Sequence, residues 1–115
     1  MDRAKDDKYY LEKVITDIKY LIRVTKDVSK EELEDNETLL DSVMFRFIQI
    51  SENLKRVSDD LRENNPNIPW HQAIGLRNKI VHEYGKIDLT IIYDVLKHDL
   101  DNLYKELKLL VLWKK

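Results

Sequence analysis

Arg77-Asn78-Lys79-Ile80-Val81-His82-Glu83-Tyr84 is the stretch from which the rest of the chain is read. At roughly 100° per residue it fills the last two turns of a helix. Ala73, Ile74 and Leu76 just before it join Ile80 and Val81 in one apolar arc, and Arg77 and Tyr84 fall on a single line of that arc. Arg77 therefore stands where a soluble helix ordinarily carries leucine. A buried charge without a partner is costly, so a guanidinium at this position demands one. Asn78 and His82, four residues apart, form a neighbouring stripe at the edge of the arc.

Working outward, Asn65-Pro66-Asn67-Ile68-Pro69 is the one proline-rich connection. Pro69 suits the first position of the helix, which is expected from about Trp70 to Tyr84, with Gly85 placed for a left-handed C-terminal cap. Upstream, Leu11, Val14, Ile15, Ile18, Leu21, Ile22 and Val28 predict a first helix from about Asp2 to Val28. Ser29-Lys30-Glu31-Glu32 has the form of a capping box, so an extra short helix is expected near residues 30–35. Asn36 is a plausible N-cap for a second long helix. Its stripe runs Leu39, Leu40, Val43, Met44, Phe47, Ile50, Ser51, Leu54, Val57, Leu61, and its end is expected near Asn64. Downstream, Asp88 can cap a last helix with the stripe Leu89, Ile92, Val95, Leu96, Leu100, Leu103, Leu107, Leu110. The expected architecture is an all-α, antiparallel bundle of four main helices, with residues 1–115 as one domain.

Composition supports that choice and excludes several functions. The 115 residues are 43% apolar and 37% charged with only two Gly and two Pro, which suits amphipathic helices and leaves little for turn-rich β structure. A net charge of −2 means that any nucleic-acid contact must be a local patch. Without Cys there are no disulfides, thiolate metal sites or Cys nucleophiles. No apolar run approaches the roughly 18 residues of a membrane span, and the charged N-terminus does not suit a secretory signal. A cytoplasmic protein is expected.

The candidate chemistry gathers around the opening stretch. His71 and His98 sit among polar neighbours and are expected at the surface. His82 occupies the last turn before Gly85, where the partial negative charge of a helix end favours an imidazolium that can hold or protonate a phosphate oxygen. Its structural alternative is a cap on the last carbonyls. Arg77 offers bidentate phosphate contacts, or else an ion pair with a carboxylate on another helix, Glu52 being the obvious partner. Tyr84 is a hydroxyl donor, a stacking platform or a core aromatic, and Asn78 can bond a base or hold His82. Together they supply parts for metal-independent phosphodiester cleavage, a proton-transfer group beside a cation. No His/Asp/Glu set has metal-ligand spacing, and neither a phosphate-cradling glycine loop nor a nucleophile elbow is present, so no metal and no cofactor are expected. One histidine is too few for two proton transfers, which points to a two-fold dimer with two copies of the motif at one cleft. The apolar run Leu109-Leu110-Val111-Leu112-Trp113 covers too wide an arc for one bundle face, and is either a further partner surface or buried within the chain.

Arg77, four residues, His82, one residue and Tyr84 match the Arg-x4-His-x-Tyr motif of the HEPN superfamily, and the chain resembles its HepT family more narrowly. Trp70, Ile74, Gly75, Arg77, Asn78, His82, Tyr84, Ile87-Asp88 and Tyr93 keep that family's layout, and the likeness covers nearly the whole chain. The resemblance implies a homodimeric, RNA-cleaving toxin, encoded with a MntA-type nucleotidyltransferase antitoxin. By position, Arg77 and His82 would be catalytic, with Asn78 assisting and Glu52 supporting. In related pairs the antitoxin transfers AMP from ATP to the motif tyrosine, here Tyr84, which would bring negative charge and bulk into a cationic cleft. One departure is Ser51-Glu52, where related chains often place Gly before the Glu. Two other readings stay open: a non-enzymatic helical subunit that docks a nucleotidyltransferase and accepts its modification, and a structural dimer in which Arg77 pairs with Glu52.

Overall fold

The computed structural model describes residues 6–83 and 88–113, without the side chains of Glu83 and Trp113. Among the described residues there are helices and no strands: α1 (Asp7–Val24), α2 (Lys30–Asp35), α3 (Glu37–Lys55), α4 (Asp59–Glu63), α5 (Trp70–Glu83), α6 (Leu89–Asp94) and α7 (Leu100–Trp113), with a π-helical segment Val95–Asp99 joining the last two. Taking α6, the π segment and α7 as one rod, four main helices make the bundle, as expected. No described helix is long and apolar enough to cross a membrane.

Packing follows the apolar stripes. α3 lies in the middle, with α1 against one side and α5 against the other, and α7 packs on α1. The cross-links between α1 and α3 run in opposite senses along the two helices: Tyr20 meets Ser42 and Asp17 meets Arg46, and just past the end of α3 Asp7 meets Ser58. The pair is therefore antiparallel. Leu11, Val14, Ile18 and Leu21 of α1, Val43, Phe47 and Leu54 of α3, and Leu100 and Leu107 of α7 are almost wholly shielded from solvent. Each such side chain contributes about 1.5–3 kcal/mol by leaving water.

The capping signals hold. Ser29 Oγ accepts from Glu32 N at 3.0 Å while Ser29 N donates to Glu32 Oε1 at 2.9 Å, closing the box that starts α2. The Ser29 backbone N–H foremost, and the Ser29 hydroxyl after it, keep the Glu32 carboxyl below its ordinary range. Asn36 caps α3 through Leu39 N, and Asp88 caps α6 through Thr90 N.

Three expectations change. The first helix stops at Val24, four residues short of Val28. Thr25 Oγ1 donates back to Leu21 O at 2.7 Å, and the carbonyls of Thr25 and Val28 are taken by Lys97 Nζ and Tyr93 Oη across the bundle. The second helix does not continue to Asn64. It ends at Lys55, and Ser58 starts the separate α4 by accepting from Leu61 N. Asp7 makes the break favourable, since its carboxylate accepts from Ser58 N at 2.8 Å and from Ser58 Oγ at 2.7 Å. Val57 and Leu61 remain buried on the far side of the break, which is why spacing alone did not betray it. Pro69, finally, precedes the first helical residue; its carbonyl accepts the first helical bond, from Ala73 N.

The π-helical turn Val95–Asp99 joins α6 to α7 without interrupting the core side of the rod, on which Ile92, Leu96, Leu100, Leu103, Leu107 and Leu110 are all buried.

Candidate active site

The candidate residues lie along the seam of α3 and α5. Ser51, 1% exposed, donates its hydroxyl to Ala73 O at 2.6 Å. That carbonyl is the one that the helical pattern pairs with the N–H of Arg77. Ser51 therefore pins α5 one turn ahead of Arg77, and serine in place of glycine still permits a close helix approach. Beside it, Glu52 Oε1 lies 3.3 Å from Arg77 Nε, with the two side chains 36% and 39% exposed. The Arg77 Nε atom is itself closed to solvent and, among the described residues, makes no hydrogen bond, so this ion pair lacks hydrogen-bond alignment. Arg77 Nη1 reaches Asn78 Oδ1 at 3.3 Å. The arginine expected in the apolar arc is thus at the arc's border, half out in solvent, with the carboxylate partner that its charge required.

Around this pair the surface is apolar. Phe45, Ile48 and Glu52 share one line of α3, and Ile74, Arg77 and Val81 share one line of α5, each at spacings of three and four residues. Phe45 is 57% exposed and Val81 45%, while Ile48 and Ile74 are half-buried. The sequence offered one signal for Phe45: it lies off the buried stripe of its own helix. No reading of the sequence had assigned it a role.

His82 is exposed in the last turn of α5. Five residues at about 100° each place it some 140° around the helix from Arg77. It belongs instead to the line Gly75, Lys79, His82. A single copy of α5 therefore turns Arg77 toward α3 and His82 toward a different side. Asn78 is exposed next to both directions. Tyr84, the expected site of modification, lies outside the described residues, as do Gly85 and Ile87. His71 and His98 are exposed. Among the described residues no three acidic or histidine side chains gather as metal ligands would. Of the C-terminal run, Leu110 is buried and Val111 half-buried within the chain, while Leu109 and Leu112 are exposed.

The chain is similar to known proteins along most of its length. The sequence model of the family described as "Ribonuclease HepT-like" matches residues 14–110. "Putative RNase MJ1380" of Methanocaldococcus jannaschii is 30% identical over 105 residues, which cover 91% of this chain and 96% of that protein. "Putative RNase TTE0752" of Caldanaerobacter subterraneus is 27% identical over 104 residues, 90% of this chain and 93% of that one. "Probable ribonuclease HepT" of Thermococcus cleftensis is 24% identical over 99 residues, 86% and 90% of the two chains. No solved structure matches significantly.

Proposed function

The chain belongs to the HepT-like ribonuclease family, and on that premise we propose that it is a metal-independent endoribonuclease, the toxin of a HepT/MntA-type toxin–antitoxin pair. The observation that carries the proposal is the placement of Arg77 and His82 inside the matched span, both reachable from solvent and neither absorbed into the core. In the proposed reaction the 2′-hydroxyl of one nucleotide loses its proton to an imidazole and attacks the adjacent phosphorus. The new P–O2′ bond forms as the P–O5′ bond breaks, and the departing 5′-oxygen takes a proton from a second acid. Arg77 stabilises the charge that builds on the non-bridging oxygens. Asn78 orients the substrate or His82, and Glu52 holds Arg77 from behind.

Two proton transfers need two groups, and one α5 turns its arginine and histidine in different directions. A homodimer supplies the missing partners. The exposed Phe45 and Val81 beside half-buried Ile48 and Ile74 support α3 and α5 as the shared face, since burying such residues favours association. Control is proposed to act through Tyr84, two residues beyond His82. AMP transferred there by a MntA-type nucleotidyltransferase adds phosphate charge next to the cations that would hold RNA.

The test uses purified protein with single-stranded RNA in EDTA. Cleavage by the parent and its loss in His82→Ala is the expected result. Equal cleavage by both, or by neither, rejects the catalytic assignment. Intact mass after co-expression with a MntA-type nucleotidyltransferase is expected to rise by whole AMP units, and Tyr84→Phe is expected to abolish the rise.

A further inference from the structure

Among the described residues, the bundle is open on the side of α5 away from Glu52. α5 packs on α3 with little against α7, and a groove of about 760 Å³ runs between α5 and the α6–α7 rod. Phe47, Ile50, Ala73, Leu76, Leu100 and Leu103 line it with apolar surface. Its rims are polar and differ in kind. The α5 rim carries His71, Gln72 and Lys79, and the opposite rim carries Asp99, Asn102 and Glu106, the last bonded to Asn67 Nδ2.

Two further features connect this groove with the proposed reaction. The α5 line that borders it, Gly75 then Lys79, has His82 as its next member, so the imidazole stands where the groove's cationic rim ends. Gly75 itself is unexplained by the fold. A Cβ built there would meet nothing within 4 Å, so no packing demands glycine, although glycine in the middle of a helix is unfavourable. Bare backbone at such a place permits a flat group to lie directly against the helix.

We infer that the groove receives one unpaired nucleobase of the RNA substrate, next to the bond that His82 acts on. The base lies flat against the helix at Gly75 over the apolar floor, its phosphates run along Lys79 toward His82, and its exocyclic amino group donates to the carboxylates of Asp99 or Glu106. The volume is ample for a nucleoside, within the range of small-ligand sites. The carboxylate rim accepts from the amino groups of adenine and cytosine and has nothing to accept from uracil at that position, so oligo(A) and oligo(C) should bind better than oligo(U). This inference rests on the ribonuclease reading above.

The experiment measures binding of fluorescein-labelled oligo(A) and oligo(U) by anisotropy in the non-cleaving His82→Ala background, so that affinity is separated from turnover. The background protein is expected to bind oligo(A) at least tenfold more tightly than oligo(U). Gly75→Leu, which covers the helix surface where the base would lie, should weaken oligo(A) at least tenfold, and Asp99→Asn combined with Glu106→Gln should remove the preference for A over U. Gly75→Ala, which has room for its methyl and should melt no lower than the parent, is the fold control and should weaken oligo(A) only partly. A folded Gly75→Leu protein that binds oligo(A) as its parent does overturns the base subsite and leaves the ribonuclease assignment standing. Absence of RNA binding by the background protein, together with absence of cleavage by the histidine-bearing chain, overturns both.

Discussion

α3 is flanked by two arginine–carboxylate pairs, and they are built to different standards. On the α1 side, Arg46 Nη1 donates to Asp17 Oδ1 at 2.8 Å, with Asp17 only 13% exposed. The same guanidinium lies 3.9 Å from the centroid of the Tyr20 ring, and Tyr20 Oη is tied to Ser42 Oγ at 2.7 Å. On the α5 side, Arg77 meets Glu52 at 3.3 Å through an Nε without hydrogen-bond alignment, with both partners more than a third exposed and uncovered apolar residues around them. A buried or half-buried cation that serves only the fold is expected to find short, aligned bonds, as Arg46 does. Arg77 has a carboxylate close enough to hold it without an aligned bond. The difference is the one that the proposed function requires, in which Arg46 serves the fold and Arg77 a phosphate.

The largest expected effect comes from exchanging their chemistry. Arg77→Lys keeps the charge but loses the planar fork, and should lower kcat for RNA by on the order of 10²–10³-fold, the loss typical when one oxyanion donor is removed. Its denaturation midpoint should stay close to the parent's, because an exposed pair contributes little to stability. Arg46→Ala should do the reverse. It strands Asp17 and uncovers Tyr20, costing roughly 1–3 kcal/mol in urea unfolding, with cleavage per folded molecule unchanged. Should Arg77→Lys unfold the protein while keeping its specific activity, the two roles would have to be exchanged.

A smaller effect tests what keeps Arg77 in position. Ser51→Ala removes the hydrogen bond to Ala73 O and leaves the helical bond to that carbonyl in place, so the stability cost should be near 1 kcal/mol. If Ser51 is a positioning residue for Arg77, kcat should fall by several-fold with KM little altered, and Ser51→Gly should share the defect despite its closer helix approach. A loss of stability with unchanged kcat would make Ser51 a packing residue only.

These two regions were not equally legible in the sequence. The apolar stripes, the Ser29–Glu32 box and the caps at Asn36 and Asp88 are local signals, each decided within four residues, and they specified the elements of the fold. The need of Arg77 for Glu52 was also legible, because charge and apolar arc conflict within one helix. What failed were features set by distant parts of the chain. The break at Arg56–Ser58 depends on Asp7, some fifty residues earlier, and the early end of α1 depends on Tyr93 and Lys97. The different directions of Arg77 and His82 follow from simple angular counting, yet their closeness in sequence suggested one cluster. The groove beside Gly75 could not be foreseen, since it requires knowing that α5 packs on α3 and leaves α7 apart. Its sole trace in the sequence is a glycine inside a helix.

The smallest expected effect is the most direct measure of the contrast. In a double-mutant cycle, Arg77→Ala and Glu52→Ala should couple by no more than about 0–1 kcal/mol, as exposed ion pairs do. Arg46→Ala and Asp17→Ala should couple by about 1–3 kcal/mol, because one partner is largely out of water and the hydrogen bond is charge-assisted. Salt separates them further. Between roughly 0.1 M and 1 M the screening length falls from about 10 Å to about 3 Å. The Arg77–Glu52 coupling should then vanish, while the short, sheltered Arg46–Asp17 pair keeps most of its own. A coupling at Arg77 as large and as salt-resistant as that at Arg46 would mean that Glu52 locks the guanidinium rather than lends it. The proposed phosphate contact would then have to break a structural bond in every turnover.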